Sequence, residues 1–140
     1  MNEWQDYLKL VKDNGFEKLS KQSATLDIIG NITSLRYNFN QVQLGNKNKL
    51  PLWFVTSLLN NVAKVAIQQG WDIVFPEELI EAESADDLAT EAISGALKLK
   101  ESSLQKALGY CVYIMQEMSL SPHTVFNRAM RSVLYHSAEE

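Results

Sequence analysis

The stretch "TLDIIGNITSLRYNFNQVQL", Thr25 to Leu44, decides the fold class. It is rich in β-branched and aromatic residues, which pack well on a pleated surface. It also contains alternating pieces, with Leu35, Tyr37 and Phe39 on one side of a strand, then Val42 and Leu44. Gly30-Asn31 supplies a turn between two such pieces. Short strands between Ser23 and Leu44 are therefore expected, closed by the polar loop "GNKNK".

Working outward, both flanks are helical. Upstream, Trp4, Tyr7, Leu8 and Val11 recur at i, i+3, i+4, i+7, with acids early and lysines late as the helix dipole prefers, and Gly15 as a stop. Downstream, Pro51 opens a helix in its first turn. Val55, Leu58, Leu59, Val62 and Ala66 form its buried face, and Gly70 closes it. "WDIVFP" then reads as a buried extended segment, because Pro76 restricts Phe75 to extended backbone. Ser84 with Asp87 resembles a capping box ahead of Ala85, Leu88, Ala89, Ala92, Ile93 and Ala96, a face of mostly small residues that another element can approach closely. Ser102 with Gln105 offers a second box before Leu104, Ala107, Leu108, Cys111, Val112, Met115 and Met118. Tyr110, Tyr113 and Ile114 widen that helix beyond one apolar stripe, so it is covered on two sides or carries an interface. Ser121-Pro122 starts a last helix with Val125, Phe126, Ala129, Met130, Val133 and Leu134 inward.

The expected fold is mainly α with a small β segment (α+β). Residues 1–45 form an N-terminal helix plus a short-stranded part, and residues 46–140 form a helical bundle.

Composition narrows the function. A net charge of −4 disfavours a duplex-coating protein, since non-specific DNA binding depends on lysine and arginine displacing counterions. Arg36, Lys47 and Lys49 beside Tyr37 and Phe39 are too few charges for a single-strand binder, so nucleic acid is not the expected main partner. Charge is divided unevenly: residues 1–70 hold 8 basic against 5 acidic side chains, residues 71–140 hold 5 against 12. The single Cys111 makes no internal disulfide, the N-terminus lacks a signal-peptide core, and no apolar stretch is long enough to span a membrane, so cytosol or nucleus is expected.

Catalysis has few candidates. Cys111 falls on an apolar helix face, where a thiol is inert, and His123 and His136 read as solvated residues rather than paired bases. One Cys and two His without HxxxH or CxxC spacing give no metal site, and no GxGxxG or GxxxxGK[ST] supports a nucleotide, so no catalytic residue and no cofactor are assigned. Seven acids run from Glu77 to Glu91 without one base. They lack the alternating ligands and turn glycine of a calcium loop and read as a solvated acidic face.

A small β-containing segment, then "LPLWFVTSLL", then "DIVFPEEL", resembles the GINS family of DNA-replication proteins, especially the subunits that carry the β domain first and their archaeal relatives. "ALKLKESSLQKALGYCVYIM" looks like that family's buried helix after an extended Ala-Leu-x-Leu. The resemblance covers roughly residues 24–118, and Leu50 to Trp53 is its sharpest piece. It implies a non-enzymatic subunit that bridges sister subunits and, through them, the MCM helicase ring, in a hetero- or homo-oligomer. Leu104, Leu108, Tyr110, Ile114 and Met118 would then carry a subunit interface, and with or without the family Pro51 fixes the helix entry while Leu52 and Trp53 wedge at the joint between strands and bundle. The alternative is a small acidic binding protein, such as an immunity protein, viral inhibitor or regulator, that uses Glu77 to Glu91 to mask a basic target.

Overall fold

The computed structural model describes the backbone of residues 2–139 and the side chains of residues 3–135. Six helices follow in order: α1 (Asn2–Asn14), α2 (Lys21–Gln43), α3 (Leu52–Gln69), α4 (Ala82–Ala96), α5 (Glu101–Glu117) and α6 (Pro122–Glu139). No strand occurs among the described residues.

The α+β expectation is thus corrected: Thr25 to Leu44 lies almost wholly within the single helix α2. Ile28, Ile32, Leu35 and Phe39 are buried and stand at i, i+4, i+7, i+11, a helical stripe. Tyr37 is the decisive residue. On a strand it would share the face of Leu35 and Phe39, yet it is 61% exposed while Leu35 is fully buried. Composition misleads here because β preference reports packing on a half-buried surface, and a helix that buries the same β-branched side chains against neighbours overrides it. The helix starts where Ser20 Oγ accepts from Ser23 N at 3.1 Å. Gly30, read as a turn, is an exposed mid-helix glycine.

The other five helices stand where periodicity places them. Gly70 ends α3 in the left-handed region at φ 73°, donating its N–H to the carbonyls of Ala66 and Ile67. Ser121 caps α6, its Oγ accepting from Thr124 N at 3.1 Å. The two expected boxes are not helix starts. The N-caps are Glu81 and Lys100, and the hydroxyls of Ser84 and Ser103 bond back to those carbonyls. The extended Ala96 to Leu99 implied by the family resemblance is instead the end of α4 and a turn, with buried Leu99 at φ 47°.

Helices α3 and α5 form the centre and pack on each other. Helices α2 and α4 cover one side, α2 against α3 and α4 against α5; α1 and α6 pair with each other and lie on α3. The closest pairing is α4 on α5. Ala85, Ala89, Ala92 and Ala96 line the contact, and a Cβ at Gly95 would come 2.5 Å from the Cβ of Ser103. The small-residue face therefore brings the two backbones together. At the other end, Trp4, Tyr7, Phe75 and Phe126 form an aromatic cluster with ring centroids 5.2 to 6.3 Å apart. Tyr7 donates its hydroxyl to Asn60 Oδ1, joining α1 to α3, and Asn61 donates to Asn31, joining α3 to α2.

Candidate protein-binding groove

Residues 71–81 have no regular structure and run as a strap over the bundle between α3 and α4. The extended reading of "WDIVFP" holds in its alternation: Ile73 and Phe75 are buried and Val74, between them, is 62% exposed. Backbone groups that a neighbouring strand would otherwise satisfy are met by side chains. The Trp4 indole donates to the Ile73 carbonyl at 2.7 Å. Gln105 on α5 accepts from Val74 N at 2.9 Å and donates to the Val74 carbonyl. Farther along α5, Gln116 Oε1 accepts from Ile80 N at 3.4 Å. Gln105 thus serves the strap rather than a helix cap.

In its far end, Pro76 to Glu81, Ile80 packs against the core while Leu79 turns outward. Leu79 is 86% exposed, the most exposed large apolar side chain among the described residues. On one side of it opens a groove of about 510 Å³ lined by Pro76, Ile80, Leu88, Gln105 and Gly109. Ile80 and Leu88 lean over Gly109, where a Cβ would meet both in ordinary contact. On the other side a hollow of about 340 Å³ is lined by Phe75, Val112, Gln116 and Pro122. Pro76, Glu78 and Leu79 belong to both, so Leu79 is a ridge between two apolar depressions.

The acidic run begins at this ridge. Glu78 and Glu81 line the groove, and Glu83, Asp86, Asp87 and Glu91 are exposed farther on, along α4. Asp86 is paired with Arg36 of α2, and Glu91 with Lys106 of α5 at 2.8 Å. Among the described residues Glu78, Glu81, Glu83 and Asp87 make no ion pair. Lys106, the one cation among the described residues that line the groove, is held by Glu91.

The residues expected at an interface or joint separate. Leu104, Leu108, Tyr110 and Ile114 are buried in the chain's own core, and Met118 packs against that core. The covering of α5 on two sides is done by this chain. Pro51 is the N-cap of α3, Leu52 is half-buried, and Trp53 is 54% exposed and stacks on Phe54 at 3.9 Å between centroids. With α2 in place of strands there is no strand–bundle joint for Leu52 and Trp53 to wedge. Leu79 and Gln105 escaped notice as site residues, because one sat in an acidic run and the other in an apparent capping box.

The reactive candidates are not assembled. Cys111 is fully buried, its Sγ 3.9 Å from the Val55 carbonyl, and burial pushes its thiol up to about 12. His123 is exposed, 3.3 Å from Glu3 and 3.2 Å from Asn127. The side chain of His136 lies outside the described residues. Among the described residues no group of three or more His, Cys, Asp or Glu converges to hold a metal ion, and no helix is long and apolar enough to cross a membrane.

No protein-family model, curated protein or solved structure matches the chain.

Proposed function

We propose that this chain is a non-enzymatic protein-interaction module that works through the Leu79 ridge and the two depressions beside it. The observation that carries the reading is the 86% exposure of Leu79 on a strap held from beneath by Trp4, Gln105 and Gln116. A leucine buried at an interface contributes on the order of 1.5–3 kcal/mol, and apolar contacts presented on a pre-ordered segment lose little of that to ordering.

A place in a GINS-like replication assembly rests on the Leu50 to Trp53 resemblance. The region that would be that family's leading β domain is α2 in this chain, and the α5 residues that would meet a sister subunit are in the core. A partner of any kind is therefore sought at the strap rather than at α5.

The test is site-specific photo-crosslinking in the native cells, with a photoreactive residue placed at Leu79 and, in a separate variant, at Leu97, another exposed leucine (68%) outside the groove lining. Adducts with a defined protein from position 79 and not from position 97 are expected. Absence of adducts at 79 refutes the role.

A further inference from the structure

We infer that the occupant of the groove is a basic amphipathic helix of a partner protein, seated so that two of its apolar side chains straddle Leu79. The inference rests on the protein-binding reading above and goes on to fix the chemistry and shape of the partner.

Shape comes first. A ridge flanked by two depressions accepts a surface with a gap between two protrusions. On a helix, side chains at i, i+3, i+4 and i+7 enclose such a gap, the outer pair about 10 Å apart along the axis. Leu79 then enters the helix as a knob enters a hole, while the two flanking side chains fill the groove over Gly109 and the hollow by Val112 and Pro122. A single protruding side chain fills one depression and leaves the other wet.

Charge comes second and selects the sign. Glu78 stands in the lining of both depressions and Glu81 in the larger one, and among the described residues neither is engaged in an ion pair. Glu83 and Asp87 extend the same sign along α4, and the local cation, Lys106, is tied to Glu91. An acidic helix would bring like charges against this rim at a cost, whereas lysine or arginine beside the apolar stripe meets opposite charge. The expectation of a small acidic protein that masks a basic target thereby acquires a location, with the apolar ridge supplying contact and the acids supplying sign.

The test uses the full chain and two synthetic helical peptides of equal length, one built of leucine and lysine and the other of leucine and glutamate, followed by fluorescence anisotropy. Binding of the lysine peptide is expected, with a loss of about tenfold or more on Leu79→Ser and on Glu78→Lys with Glu81→Lys, and no change on Leu97→Ser. All four positions are exposed, so the substitutions leave the core intact. Equal binding of the glutamate peptide, or binding indifferent to Leu79→Ser, overturns the inference. So does concentration-dependent self-association abolished by Leu79→Ser, which would make a second copy the occupant. Crosslinking at Leu79 together with no preference for the lysine peptide would leave the binding role standing and remove only the basic helix.

Discussion

Gln105 closes both backbone groups of Val74, accepting from its N–H at 2.9 Å and donating to its carbonyl. One side-chain amide thereby does for an isolated extended segment what a neighbouring strand does in a sheet. Gln68 repeats the device, donating to the Leu19 carbonyl at 2.7 Å and accepting from Leu19 N at 3.1 Å. In this all-helical chain the connections before α2 and after α3 are both held by glutamines of the central helices.

Gln105→Ala should therefore loosen the strap without opening the bundle. Val74 is mostly exposed, so its freed groups go to water, and the cost is about 0.5–1.5 kcal/mol. Amide exchange at Val74 is expected to speed up while Val62 in α3 stays protected. Unchanged exchange at Val74 would show that the pairing does not hold the strap.

Gly30→Ala separates the two readings of residues 25–44. An added methyl group meets nothing within 4 Å, and an exposed helical glycine replaced by alanine gains about 1 kcal/mol. A rise in the denaturation midpoint is expected. A turn that required positive φ would give a fall instead.

The two buried or half-buried glycines near α5 should respond with opposite sign. Gly95→Ala drives a Cβ to 2.5 Å from that of Ser103 and forces α4 away from α5, a loss of about 1–3 kcal/mol. Gly109→Ala places a Cβ 3.7 Å from Leu88 and 3.8 Å from Ile80, ordinary contact, and should raise stability by about 1 kcal/mol. Chemical denaturation of the two variants side by side reads both.

Stability should fall on the alkaline side. Burial raises the Cys111 thiol from its usual 9.0 to about 12, raises Tyr110 from 10.0 to about 12, and lifts Tyr7 above the ordinary phenol range. Each keeps its proton in the folded chain after the unfolded chain has lost it. The contribution is full below pH 9 and is lost as pH rises from there through 12. For Cys111 the slope approaches about 1.4 kcal/mol per pH unit within that window. Unfolding midpoints compared at about pH 8 and about pH 10.5 should show the loss, and Cys111→Ala should lower stability at pH 8 while making the decline shallower. A thiol reagent should not label native protein at neutral pH, and labelling without unfolding would overturn the burial argument.

Five helices were legible because their apolar residues recur at helical spacing, and three of them also carry end signals local to a few residues, Gly15, Gly70 and Ser121-Pro122. Helix α2 was not, since Leu35, Tyr37 and Phe39 fit a strand and a helix alike until the exposure of Tyr37 separates them. The candidate site was legible only as an acidic run.

What the amino-acid order determined alone was the place of five helices, the small-residue face of α4, the apolar setting of Cys111 and the sign of charge on the second half. Tertiary structure decided that α2 is a helix, that both apolar sides of α5 are consumed by this chain's own neighbours, and that Leu79 is left outside. The physical reason is that burial is a property of what meets a side chain across the fold. Ile114 and Leu79 are alike as apolar residues, but α3 and α4 pack on the helix that carries Ile114, whereas the glutamine-held strap lifts Leu79 into solvent.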